Sequence, residues 1–170
     1  SSYKATRLLA ERGCKKIAYL GYKKEVSIGK ARLEGYLDAL RDLATPVLEE
    51  LIVDCVVNND TNYNIIKNAL QTLQPDGIFT SGENLAFISY KVCHELQIAI
   101  PQDLKLISFS SSEIVSLLNP SLTTITQPAL EIGSTAANLL FDVLDNENWV
   151  NEEQIILKSA LIERESTAVR

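Results

Sequence analysis

The residues able to carry out chemistry are few and scattered. The one histidine, His94, has Cys93 beside it, and adjacent helical positions do not face each other. A metal site needs three or four converging ligands, so His94 reads as a structural or surface residue. Cys14, Cys55 and Cys93 are widely spaced without a C-x-x-C pair, and read as small buried hydrophobes. A Ser-His-Asp set would have to recruit His94, and no G-x-S-x-G, P-loop or G-x-G-x-x-G motif occurs. No catalytic residue, metal or cofactor is therefore assigned, and the chain is not expected to be an enzyme.

A second group of polar residues sits where ligands bind in α/β sheets, at the carboxyl ends of predicted strands. Ser27 and Arg32 follow the first strand, Gly82 and Glu83 the third, and Ser110, Ser111 and Ser112 the fourth. An arginine in the first turn of a helix meets the unfavourable end of the macrodipole, which makes it a poor choice for stability alone. Its guanidinium fork suits vicinal hydroxyls or a carboxylate, with an ion pair to Glu83 or Glu34 as the alternative. Glu83 suits either a helix N-terminus or a contact with ligand or Arg32. Asn59-Asp60-Thr61 matches a glycosylation sequon, though Asp60 is better read as a helix cap. Trp149, in a polar linker, is expected to fill an apolar notch or stack on a ligand.

The elements that position these residues alternate. Strands are predicted at 16–21, 51–57, 77–81 and 104–109. A helix at 3–11 is closed by Gly13. After Ser27, Tyr36, Leu37, Leu40, Leu43 and Ala44 share one helical face, and after Asp60, Ile66, Ala69, Leu70 and Leu73 repeat the pattern. Asp60 or Thr61 can cap the second of these. Such alternation predicts βαβ units and a mostly parallel sheet covered on both faces, an α/β doubly wound fold. In the helix at 83–96, Leu85, Ile88, Val92 and Leu96 face the sheet, while Phe87, Tyr90 and Cys93 widen the apolar surface. That width predicts a subunit interface, with a deeper core position as the alternative. Beyond Phe109 come a loop, a helical turn ending at 117–120, a short strand or extended crossing at 122–126, and a helix opened by Gln127-Pro128 that runs to about 144. A polar linker at 146–153 and a last strand from 154 to 162 close the chain.

With 170 residues, 46% hydrophobic and 22% charged, the chain suits one domain with a sizeable core. Sixteen basic against 22 acidic residues give a net charge of −6, which argues against nucleic acid or an anionic membrane as a direct partner. No apolar run approaches the ~18 to 20 residues of a membrane span. Three unpaired cysteines and no signal peptide make a cytoplasmic location the expectation. The chain begins almost inside a helix and lacks methionine, which reads as a piece of a longer protein, with a removed initiator as the alternative.

Several motifs occur in order along nearly the whole chain: LLAERG (8–13), KKIAYLG (15–21), ARLEGY (31–36), PDGIF (75–79), IPQDL (100–104), LISF (106–109), NPSLTTI (119–125) with QP (127–128) and IG (132–133), and LIEREST (161–167). Together they resemble the lactose/purine-repressor family of bacterial transcription regulators. The resemblance implies a two-lobed, periplasmic-binding-protein-like (type I) effector domain that forms homodimers and carries an N-terminal helix-turn-helix. Residues 1–124 with 150–170 would be the second lobe. Residues 125–149 would be a helix and linker belonging to or reaching toward a first lobe absent, like the headpiece, from this chain. A sugar-like or purine-like effector in the interlobe cleft would alter operator binding, with DNA held by the headpiece and not by this piece.

Carried over residue by residue, Arg32 keeps the family's ligand-contacting arginine, and Ser27, Glu83 and Ser110 are the other ligand-binding candidates. Ser110 stands where the family places an aspartate, Gly82 and Glu83 where it has an Asn/Asp pair, and Val57 where an aromatic stacks on the ligand. These departures weaken the case for an ordinary pyranose or purine and favour a larger or more apolar effector, or control by a partner. The family's dimer helix falls on 84–96, with Leu85, Phe87, Ile88 and Tyr90 at the interface. A periplasmic solute-binding protein of a sugar transporter shares the fold and is the alternative. The interface helix, the unpaired cysteines and the 161–167 ending stand against it.

Overall fold

A computed structural model describes residues 1–22, 27–57, 60–145 and 155–169. Helix α1 (Ser2–Glu11) ends where Gly13 takes φ 88°, and the amides of Gly13 and Cys14 return to the carbonyls of Ala10 and Leu9 at 2.9 and 3.0 Å. That left-handed turn favours glycine and directs the chain into β1 (Ile17–Gly21). There follow α2 (Ser27–Asp42), β2 (Ile52–Asp54), α3 (Thr61–Leu73), β3 (Gly77–Thr80), α4 (Glu83–Leu96) and β4 (Lys105–Phe109). β5 (Thr123–Thr126), α5 (Ala129–Asp145) and β6 (Ala160–Ile162) complete the order. The strands form one sheet, β2-β1-β3-β4-β5-β6, parallel except for the antiparallel β5–β6 pair. Strand order reverses between β1 and β3, which places the crevice of a doubly wound sheet between their carboxyl ends.

Alternation along the strands feeds two cores. Ile17, Tyr19, Phe79, Ile107 and Phe109 pack with Leu9 and Tyr36 from α1 and α2. Ala18, Leu20, Ile78 and Leu106 pack on the other face with Ile66, Leu85 and Val92 from α3 and α4. The doubly wound, mostly parallel architecture expected from the sequence is the one observed.

Buried and half-buried polar groups join the pieces. The Asp76 carboxylate accepts the amides of Lys15 and Lys16, each at 2.8 Å, and ties the α1–β1 turn to the start of β3. Asn62 receives the Val56 amide at 2.8 Å and donates to the Val56 carbonyl at 2.7 Å, which fixes the loop before α3. At the end of the chain, Ser166 Oγ accepts the Thr123 amide at 2.8 Å and donates to the Leu106 carbonyl at 2.6 Å. Arg164 Nη1 donates to the Leu122 carbonyl at 2.7 Å. The LIEREST ending is thus a polar clasp on β4 and β5.

Several boundaries differ from the sequence expectation. β2 is confined to three residues after a 3-10 turn at Glu49–Leu51, as befits the sheet edge, where only one neighbour holds the strand. Asp60 precedes α3 in helical conformation (φ −63°, ψ −19°) and makes no side-chain cap bond, because a capping oxygen reaches the free amides from extended backbone. α2 ends at Asp42, so Leu43 and Ala44 lie beyond it and Ala39 joins Tyr36 and Leu40 in the buried face. The last strand is only Ala160–Ile162, and residues 155–159 have no regular structure. Asn59, the whole 146–153 linker with Trp149, and Gln154 fall outside the described residues, as does the Ser27 side chain.

Candidate functional site

Four rings on the α1/α2 face of the sheet form a row toward the crevice. Tyr36 and Tyr19 have centroids 5.5 Å apart, Tyr19 and Phe79 5.7 Å, and Phe79 and Phe109 5.8 Å. The row exists because β1, β3 and β4 are neighbours whose same-face positions lie side by side. Arg32 ends it, with its guanidinium carbon 4.0 Å from the Phe109 centroid. Its Nη1 donates to the carbonyl of Ser81, just past β3. One side chain from the helix after β1 therefore reaches the ends of both β3 and β4.

Arg32 is the sixth residue of α2 and stands in its second turn, not the first. The dipole argument fades there, since the effect is confined to the terminal turn. The aromatic face and the carbonyl are what hold the side chain in place. Among the described residues no ion pair includes Arg32, so neither Glu83 nor Glu34 neutralises it. Burial lowers its pKa from the ordinary arginine value, opposed by the nearby Tyr19 phenol. The same burial pushes the Tyr19 phenol up to about 12.

A cavity of about 250 Å³ opens beside Arg32 and Phe109. Gln127 and Ile132, at the passage into α5, form one wall, and Ser1 and Ser159 another. The hydroxyls of Ser1 and Ser159 are hydrogen-bonded to each other. Glu83 and Ser110 lie outside that lining. Ser110 donates its hydroxyl to the Glu83 carboxylate and accepts the Ser112 amide at 3.1 Å, so the pair closes the β3 and β4 ends on each other. The structure thus brings Arg32 to the cavity and Glu83 to Ser110, and Val57 stands apart from the lining. Phe109 was not singled out from the sequence. Its register, two residues after Ile107, was the available signal that it faces α2.

A larger cavity, about 530 Å³, lies at the opposite end of the sheet, near the C-terminal ends of α3 and α4. Its two carboxylates serve the backbone: Asp76 as above, and Asp103 by accepting the Ala99 amide at 2.9 Å. The three cysteines are buried, and burial pushes each thiol up to about 12, which keeps them protonated. Among the described residues no group of three or more His, Cys, Asp or Glu is placed to hold a metal ion. Among the same residues, no helix is long and apolar enough to cross a membrane.

On α4 the expected interface divides. Leu85 is 0% exposed and belongs to the core, so it supports the helix from beneath and presents nothing to a partner. Cys93 is likewise inside. Phe87, Ile88 and Tyr90 are half-buried, and Tyr90 donates its hydroxyl to the Pro120 carbonyl at 2.8 Å.

Known proteins share this fold. The sequence profile of the periplasmic binding protein-like domain matches residues 6–167. The HTH-type transcriptional regulator MalR of Clostridium butyricum is 30% identical over 169 residues. The HTH-type transcriptional repressor PurR of Escherichia coli O1:K1 is 31% identical over 167 residues. Each alignment covers 98% of this chain and 49% of the relative, so the chain spans about half the length of the curated relatives it matches. A LacI-family transcriptional regulator from Enterococcus faecium, crystallised with bound ribose, superposes with a TM-score of 0.87 at 28% identity. That match covers 98% of this chain and 62% of the other. The chain belongs to the family of periplasmic binding protein-like domains, and it is similar over about half their length to the transcriptional regulators MalR and PurR.

Proposed function

We propose that this chain is the effector-sensing and dimerisation portion of a bacterial DNA-binding transcription regulator. A small molecule binds at the crevice between the carboxyl ends of β1, β3 and β4, and its unequal affinity for two lobe arrangements changes operator binding. The observation that carries this reading is Arg32, which spans the crevice beside a cavity also walled by the segments leading into and out of α5. At about 250 Å³ the cavity falls short of the ~300 to 1,000 Å³ of complete small-molecule sites, in keeping with one wall of an interlobe cleft.

The second lobe, expected from the sequence to end at 124 and resume at 150, runs through β5 to Thr126, whose strand pairs with β4 and β6, and α5 extends toward a first lobe carried elsewhere in the parent protein. α5 supports this division: it has no buried residue, and Leu130 and Phe141 are 89% and 62% exposed. Two copies pair through α4 by way of Phe87, Ile88 and Tyr90. Operator DNA is held by a helix-turn-helix outside this chain, consistent with the net charge of −6. The protein is cytoplasmic and not an enzyme. That the relatives are regulators favours this reading over a transporter's solute-binding protein.

The test is fluorescence anisotropy of the intact protein on DNA from upstream of its own gene, with and without candidate effectors. The wild type is expected to shift its DNA affinity about 5- to 150-fold with effector, while Arg32→Ala binds DNA and ignores effector. A full response by Arg32→Ala overturns the role of Arg32. Failure of the wild type to bind any such DNA overturns the regulator reading.

A further inference from the structure

We infer that the molecule accepted by this crevice is anionic where it meets Arg32, a carboxylate or phosphate ester and not a neutral sugar; this rests on the effector-binding reading above. Among the described residues lining the cavity, Arg32 is the one charged side chain. Burial works against its charge, and among the described residues the Tyr19 phenol acts in the other direction. No acidic partner pairs with it among the described residues, and the Glu83 carboxylate is engaged by Ser110 away from the cavity.

A guanidinium has five N–H donors in a planar fork. Here one nitrogen is committed to the Ser81 carbonyl and one face is covered by Phe109. The remaining edge is a donor surface on a partly desolvated cation. Such a charge is costly unless it is paired, and a carboxylate or phosphate oxygen pairs it by charge-assisted hydrogen bonds. A neutral sugar presents hydroxyls that donate as well as accept. Satisfying them takes strong acceptors, and among the described residues the lining has no carboxylate, only hydroxyl and amide oxygens. Beside the arginine it supplies serine hydroxyls, the Gln127 amide and apolar groups such as Ile28 and Ile132. That set suits an anionic head on Arg32 and a less polar body along the wall toward α5.

The probes are inorganic phosphate, acetate, ribose and the phosphate ester of ribose at its primary hydroxyl. Isotope-labelled intact protein is titrated with each while the Arg32 Nε–Hε resonance is followed by NMR. Phosphate or acetate is expected to shift that resonance saturably while chloride at equal ionic strength does not. The phosphate ester should bind at least about tenfold more tightly than ribose, an advantage lost in a folded Arg32→Gln variant. A stronger response to phosphate than to acetate assigns a phosphate ester, and the reverse a carboxylate. If ribose shifts resonances around Phe109 while neither anion moves Arg32, the effector site stands and its anionic character is overturned. If neither class perturbs the crevice, both readings fall. The wild-type titration decides the charge question even if Arg32→Gln does not fold.

Discussion

Arg32 was legible in the sequence because it combines a charged type with a strand-end position, but the reason it sits there was not. The sequence offered a helix dipole or an ion pair; the structure shows an aromatic face and a carbonyl, and both partners are distant in the chain. Phe109 is therefore as informative as Arg32. Phe109→Leu keeps the site apolar but removes the ring quadrupole, worth about 0.5 to 2 kcal/mol in a cation–π pair. The expected result is an effector affinity weakened about 2- to 30-fold by calorimetry, with the far-ultraviolet dichroism unchanged. Undiminished affinity would mean that the ring does not orient the guanidinium. The cysteines, read as buried hydrophobes, lead to a pH prediction. Each thiol is raised from 9.0 to about 12 by burial, so the unfolded chain loses these protons first as pH rises. Stability from this source is complete below pH 9 and declines between pH 9 and 12, since the native state then binds more protons. Urea midpoints across that window should fall, and fall less steeply in Cys93→Ala than in the wild type.

At the scale of elements, helices were easier to read than the edge of the sheet. α4 was placed at 83–96 because several apolar residues repeat at helical spacing. β2 and β6 have three residues each, too few for alternation to register, and their extent depends on what lies beside them. The antiparallel return of β6 depends on the Ser166 and Arg164 clasp, a tertiary contact with no local pattern. Asp60 departs from the expectation drawn from spacing, and Asp76 has a backbone role that spacing does not reveal. Asp60 stands at a helix start without capping it, while Asp76 holds two backbone amides of a turn sixty residues earlier. Asp76→Ala should lower stability by about 1 to 3 kcal/mol in urea unfolding, since it leaves two donors without their charged acceptor. Asp60→Ala should change it by no more than about 0.5 kcal/mol, against the ~1 kcal/mol of a working cap. Equal losses from the two substitutions would restore the capping role.

For the whole molecule, the apolar surfaces of α4 and α5 are the ones that bear on assembly. On α4 the half-buried trio at Phe87, Ile88 and Tyr90 is what the proposed dimer would cover, and Phe87→Asp should convert dimers of the intact protein to monomers in light scattering. An unaltered mass would move the interface elsewhere. α5 raises a larger question, because a helix of seventeen residues that buries none of its side chains cannot owe its stability to the lobe beneath it. Its apolar composition was visible in the sequence, but which body it packs on was available only through the family resemblance. Phe141 separates the possibilities. It is 62% exposed here, so Phe141→Ala in this 170-residue chain should change stability by about 0.5 kcal/mol or less. In an intact parent whose first lobe covers α5, as proposed, the same substitution should cost about 3 to 5 kcal/mol through lost burial and the cavity left behind. Urea unfolding of both proteins, with and without the substitution, gives the comparison. A small effect in both would mean that α5 faces water in the parent as well, and would remove the physical basis for assigning α5 to the neighbouring lobe.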